Sequence, residues 1–248
     1  MNELAERLRS ERTPYVLATV VRTEKPTSAR AGDRALVLPD GTLEGFVGGA
    51  CAASTVREQA LRLLAEGESA LLRITADPAG TASLDGLVTV GNPCLSGGTL
   101  DVFLEAVIPP PLVQVYGDGP VARALADVGA AAGYETSLCP GPDPVAADAA
   151  AVVAATHGRD EEEILRRALA AGIPYIGLIA GRRRGEAVTS ALEDGHRVRT
   201  PAGLDIGART AGEVALSVLA EILSLRAVPE PGRSERSAHH AECDDHCG

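Results

Sequence analysis

From Leu112 onward, short runs of apolar residues alternate with longer stretches whose apolar positions recur every three or four residues. The runs Leu112–Tyr116, Tyr134–Leu138, Ala151–Thr156 and Tyr175–Ile179 are rich in β-formers and read as buried strands. Pro120–Ala132, Glu161–Ala171 and about Gly185–Asp194 carry helical spacing. A short Val198-Arg199 strand follows, and Thr210-x-x-Glu213 is a capping box opening a last helix to about Leu225. Strands alternating with helices predict a doubly wound parallel sheet, a Rossmann-like α/β domain over residues 112–227.

The first half follows another pattern. Asn2–Ser10 has helical spacing, and Tyr15–Val21 is a β-rich run. Ala35–Leu38 and Leu43–Val47 flank the turn Pro39-Asp40-Gly41 and predict a hairpin. A helix is expected from about Ser54 to Ala65, with strands at Leu71–Ile74, Leu87–Val90 and Leu100–Val107. Strands around one or two helices predict an N-terminal α/β or α+β domain over residues 1–108. Pro109-Pro110-Pro111 can continue neither helix nor ladder and reads as a stiff linker. Residues 228–248 are polar, Pro-bearing and aperiodic, and are expected to form a disordered tail.

Aromatic residues make up 2% of the chain, so both cores must be built from Val, Leu, Ile and Ala. The formal charge of −11 argues against nucleic acid or an anionic membrane surface as the main partner. Arg182-Arg183-Arg184 is the one dense basic run and can grip a phosphate locally. No apolar stretch approaches the roughly 18 residues of a membrane span. Residues 1–12 lack the apolar core of a signal peptide, so a cytoplasmic protein is expected. Its five cysteines then read as thiols or ligands and not as a disulfide framework.

Gly117-Asp118-Gly119-Pro120-Val121-Ala122 is G-x-G-x-x-A at a strand-to-helix turn. Gly117 suits the tight turn, Gly119 lets backbone approach a pyrophosphate, and Ala122 lets helix and strand pack closely. A tight turn alone would also use such glycines. An NAD site usually places an acid at the end of the second strand. Here that strand ends Ser137-Leu138-Cys139-Pro140, which argues against ordinary NAD use. Thr156-His157, at a strand's carboxyl end, is the best proton-relay candidate, although a histidine there can equally cap the next helix.

Two cysteines sit beside glycine pairs: Gly48-Gly49-Ala50-Cys51, and Cys94-Leu95-Ser96-Gly97-Gly98. A thiolate beside such backbone N–H groups has a lowered pKa and suits a nucleophile, a sulfur carrier or a soft-metal ligand. A small buried hydrophobe is the plainer reading of Cys51.

With these stations, and with Asp101-Val102-Phe103-Leu104-Glu105, the segment from Gly177 to Arg183, and Pro201-Ala202-Gly203-Leu204-Asp205-Ile206-Gly207-Ala208-Arg209-Thr210, the chain resembles the XdhC/CoxI/CoxF family of molybdenum-cofactor maturation proteins. Ala52-Ala53 after Cys51, Phe46-Val47 before the glycine pair, and Leu95-Ser96 between Cys94 and its glycines depart from the common pattern and lean toward the CoxF-like branch. The resemblance implies an accessory chaperone, not an enzyme. Such a chaperone binds the molybdenum cofactor, as molybdopterin or its nucleotide form, supports its sulfuration, and delivers it to a xanthine dehydrogenase-type or CO dehydrogenase-type hydroxylase. A cysteine desulfurase as second partner, a homodimer, and a nucleotide at the Rossmann loop are compatible with it. The cofactor-binding set is then Gly48, Gly49, Cys51, Cys94, Gly97, Gly98, Gly117, Gly119, Ala122, His157, Arg182, Asp205 and Arg209, with Cys94 and Cys51 as the thiol candidates. The alternatives are an oxidoreductase using NAD(P) or a flavin, and a metal-handling protein acting through His239, His240, Cys243, His246 and Cys247 of the tail.

Overall fold

Val16, Ala18 and Val20 alternate with Leu17, Thr19 and Val21, and this period of two decides which side of the first sheet becomes its core. The computed structural model of the chain describes residues 1–77, 86–91 and 98–225, and the backbone of 82–84. The chain divides into two units within the proline run, Met1–Pro109 and a second from Pro110.

In the first unit the elements are α1 (Asn2–Ser10), β1 (Tyr15–Glu24), β2 (Arg34–Val37), β3 (Leu43–Gly45), α2 (Ala50–Glu66), β4 (Ala70–Thr75), β5 (Ala82–Leu84), β6 (Leu87–Gly91) and β7 (Thr99–Val107). The strands form one sheet in the order β3-β2-β1-β7-β4-β6-β5, antiparallel except between β4 and β6. Val16, Ala18, Val20, Leu72, Val102 and Leu104 cluster with Val56, Ala60 and Leu63 of α2. On the opposite face Tyr15, Leu17 and Leu36 meet Leu4 and Leu8 of α1. Beyond α1 that face carries the cross-strand pair Arg73–Asp101, whose guanidinium donates to both carboxylate oxygens at 2.7 and 2.9 Å.

The structure differs from the expected elements here, and β1 runs on to Glu24 past Val21. The second helix begins at Ala50, not Ser54, because Gly49 takes an extended cap conformation and Ala50-Cys51-Ala52-Ala53 continue the helix back to it. Strand β3 stops at Gly45, not Val47. The short strand β5 was not expected; it adds to β6 at the sheet edge.

The second unit contains β8 (Leu112–Tyr116), α3 (Pro120–Ala131), β9 (Glu135–Cys139), β10 (Ala149–Ala154), α4 (Glu161–Ala170), β11 (Tyr175–Leu178), α5 (Arg182–Ser190), β12 (Val198–Arg199) and α6 (Ala211–Ser224). Its sheet is parallel throughout, in the order β12-β11-β10-β8-β9. One face clusters with residues of α3 and α6, such as Leu125 and Leu219, and the other with α4 and α5, through Leu165 and Val188. The Rossmann-like, doubly wound reading therefore holds. Counted within the unit the strand order is 2-1-3-4-5, which fits a flavodoxin-like sheet and equally a dinucleotide-binding sheet without its third strand, and it places the switch point between β8 and β10.

Residues 140–148 connect β9 to β10 without a helix and pack Val145 and Ala146 on the α4 face. Gln114, buried within β8, makes this connection possible. Its amide donates to the Pro144 carbonyl at 3.3 Å and its oxygen accepts from Ala146 N at 2.7 Å. Two boundaries shift in this unit. Strand β10 ends at Ala154, so Thr156-His157 lies in the loop beyond it. Helix α5 spans Arg182–Ser190, not Gly185–Asp194, because Gly181 is its extended cap; all three arginines therefore fall in its first turn. The capping box is present, with Glu213 N donating to Thr210 Oγ1 at 3.2 Å and Thr210 N to Glu213 Oε2 at 3.0 Å. Among the described residues no helix is long and apolar enough to cross a membrane. The expected tail, residues 228–248, lies outside the described residues.

Gln114→Leu keeps volume but leaves Ala146 N–H and the Pro144 carbonyl without their partner. A buried orphan costs about 1–3 kcal/mol, and these partly exposed groups lie at the lower end of that range. Chemical denaturation should show a loss in that range, and an unchanged midpoint would mean that residues 140–148 do not rely on this side chain.

Candidate functional site

Doubly wound sheets bind ligands beyond the carboxyl ends of their strands. In the second unit a cleft of about 580 Å³ opens beyond β10 and β11. It is lined by His157 after β10, by Ile179 to Arg182 after β11, and by the loop from Pro201 to Ala208 before α6. Three expected residues, His157, Arg182 and Asp205, thus meet in one place. Gly117, Gly119 and Ala122 do not line it. Gly117 has φ +123°, and a Cβ there would collide with the Ala155 carbonyl, so this glycine is required by the close approach of β8 to β10. Ala122 is fully buried between α3 and the sheet. Gly119 caps α3, and a Cβ on it would lie 3.0 Å from His157 Nε2, so it touches the cleft wall through that imidazole. Arg209 is exposed outside the cleft, and its backbone N–H donates to Glu213.

The arginine run is divided between two tasks. Cations in the first turn of a helix oppose its dipole, so each needs an anion nearby. Arg184 has one: its Nη1 donates to both oxygens of Glu161 at 2.6 and 2.5 Å, and its Nη2 to the Ile179 carbonyl at 2.9 Å. Glu161 is only 5% exposed. Arg182 faces the cleft beside the Gly181 cap, whose helix end has no capping side chain. An anion bound here would meet a guanidinium and free backbone N–H groups together. At the glycine turn, by contrast, Asp118 contributes a negative charge, paired at 3.2 Å with Arg159 on the exposed surface.

The far wall is fastened to α6. Gly203 N donates to Glu221 Oε2 at 2.7 Å, Tyr175 Oη donates to the same oxygen at 2.8 Å, and Leu204 N donates to the Ser217 carbonyl. Burial, then the neighbouring Glu221 carboxylate, push the Tyr175 phenol far above its ordinary pKa, so it remains a donor throughout the physiological range.

The first unit has its own cleft, of about 550 Å³, lined by Pro26, Thr27, Ser28, Gly49, Cys51 and Gly98 among others. Cys51 is exposed in the first turn of α2, so the buried reading of it fails. Gly98 must lack a Cβ, which would collide with the Pro26 carbonyl. Gly48 is buried at φ +125°, with Ala52 and Leu100 against it, while the space around Gly49 is open. Cys94 and Gly97 lie outside the described residues, as do His239, His240, Cys243, His246 and Cys247. Among the described residues no group of three or more His, Cys, Asp or Glu could hold a metal ion. Cys139, at the end of β9, is buried, which pushes its thiol pKa up.

Sequence reasoning missed Glu161, Glu221, Thr27 and Ser28. Within Asp160-Glu161-Glu162-Glu163 nothing local marks the one acid that is buried.

The two kinds of glycine separate experimentally. Gly117→Ala should cost about 1–2 kcal/mol or more, from its positive φ and the collision with Ala155. Gly49→Ala, at an unstrained φ in open space, should cost less, about 0.5–1 kcal/mol for the poorer N-cap. Equal denaturation midpoints for the two variants would contradict this division.

Both units match known families. The family model described as "XdhC Rossmann domain" matches residues 113–222, and the one described as "XdhC and CoxI family" matches residues 8–75. "Uncharacterized protein YqeB" of Escherichia coli (strain K12) is 29% identical over 268 residues, 95% of this chain and 48% of the relative. A protein of Bacillus subtilis (strain 168) described as a probable subunit of xanthine dehydrogenase is 27% identical over 154 residues, 52% of this chain and 47% of the relative. The chain therefore spans about half the length of these curated relatives. A solved structure described as a xanthine dehydrogenase from Bacillus halodurans aligns with 94% of this chain and 97% of its own, at 18% identity and a TM-score of 0.45. Neither family match separates a CoxF-like branch from the rest. With one match on each unit, the chain belongs to the XdhC and CoxI family.

Proposed function

We propose that the chain is an accessory protein for the maturation of a xanthine dehydrogenase-type molybdenum hydroxylase, and that it binds the molybdopterin form of the cofactor before delivery. The observation that carries this reading is the cleft beyond β10 and β11, within the stretch matched as the XdhC Rossmann domain. Its donors and acceptors suit a phosphorylated pterin. Arg182 and the uncapped end of α5 take the phosphate, Asp205 accepts from the amino and ring N–H groups of the pterin, and Ile206 and Pro201 offer apolar surface. When bound, the cofactor supplies the metal chemistry of the client enzyme; this chain's residues hold and shield it. In the first unit Cys51, beside Thr27 and Ser28, is a thiol open to a cleft, and it serves with Cys94 while a cysteine desulfurase provides the sulfur.

An oxidoreductase is the competing reading. Against it, strand β9 ends at Cys139, followed by Pro140, with no acid there for the ribose of NAD.

Protein purified from cells that synthesise the cofactor should release a pterin that fluoresces after oxidation, close to one per chain. Arg182→Ala, at an exposed helix position, should leave the melting temperature unchanged and lower pterin retention about tenfold, the worth of one charge-assisted hydrogen bond. Release of a nicotinamide or flavin in place of pterin would favour the oxidoreductase. Cys94→Ser should fold normally yet leave a client hydroxylase inactive, and a client activated as well as by the wild type would make that thiol structural.

A further inference from the structure

The loop that carries His157 is conformationally expensive. His157 has φ 55°, Gly158 φ 97° and Asp160 φ 53°, so two non-glycine residues occupy the left-handed region within four positions. Such a loop persists only where its surroundings impose it. The Glu161 carboxylate does so: its Oε1 accepts from Gly158 N at 2.8 Å and from Thr156 Oγ1 at 3.3 Å. Arg184 balances the charge and ties the same carboxylate to the loop after β11. Glu161 is buried while Arg184 is partly open to solvent, and such a pair is a poor way to gain stability. Its effect here is geometric. It holds Thr156 and Gly158, the residues on either side of His157, whose imidazole lies against Gly119 and lines the cleft.

We infer that Glu161 is a positioning residue of the cleft: it acts on the bound ligand through His157, which it holds as a wall shared by the glycine turn and the arginine end of the site. The inference rests on the proposed function for the identity of that ligand, a phosphorylated pterin, and not for the contacts themselves.

The test combines Glu161→Gln, His157→Ala and the double variant, each in the full chain. Two readouts are taken, pterin retained on purification and hydrogen exchange at the Gly158 amide. Glu161→Gln should speed exchange at Gly158 by about tenfold, the worth of one lost hydrogen bond to a charged group. It should lower pterin retention by the same factor as His157→Ala, and the double variant should be no worse than either single one. Losses that multiply in the double variant, or a Gly158 amide as protected as in the wild type, would overturn the inference. Should Glu161→Gln fail to fold, Thr156→Val removes one bond and keeps the ion pair; it should shift both readouts the same way by a smaller factor, and no shift would count against the inference. A wild-type protein that retains no pterin would defeat the proposed function, and the positioning role would then be decided by Gly158 exchange alone.

Discussion

A carboxylate almost shut off from water has to be answered by donors, and in the second unit the answer to Glu161 organises the loops beyond β10 and β11. The loops after β10 and β11 have no hydrogen-bonding ladder of their own. Gly158, Thr156 and Arg184 all converge on this one side chain, and Arg184 carries the connection on to the Ile179 carbonyl. Withdrawing one partner from such a group strands the others, which is why breaking a buried pair typically costs about 3–5 kcal/mol even where forming it gains little. Arg184 is partly open to solvent, so its share lies toward the lower end.

That arrangement explains why the cleft does not lie on the glycine turn. Gly117 is consumed by the approach of β8 to β10, Gly119 by the imidazole of His157, and Asp118 is paired with Arg159 on the surface. The features that suit an anion stand two strands along the sheet, at the cap of α5, where Arg182 lines the cleft beside a helix start with no side-chain cap bond. The opposite wall is rigid for a separate reason: Tyr175 and Gly203 share one oxygen of Glu221, and α6 is locked at its start by the capping box.

The first unit solves a different problem. Its sheet carries one long helix on one face and a short helix over part of the other. The polar remainder of that second face is held by Arg73 and Asp101, directly opposed across β4 and β7. The cleft at the start of α2 exists because Gly98 lets β7 pass close to the Pro26 carbonyl, which brings Thr27 and Ser28 beside Cys51.

Periodicity alone determined much of this. Runs such as Leu112–Tyr116 and Tyr175–Ile179, separated by helical spacing, permit little except a parallel sheet covered on both faces, and the triple proline marks where the two units meet. Thr210 and Glu213 announce their helix three residues apart because a capping box is a local contact. Local pattern could not place the start of α2 or of α5, where glycine caps moved Cys51 and all three arginines into first turns. Nor could it tell Glu161 from its acidic neighbours, or find that Gly119 answers to His157, 38 positions further along the chain. Burial and close approach arise between segments remote in sequence, so only the tertiary structure decided which acid is buried, which arginine pairs with it, and on which strands the candidate site stands.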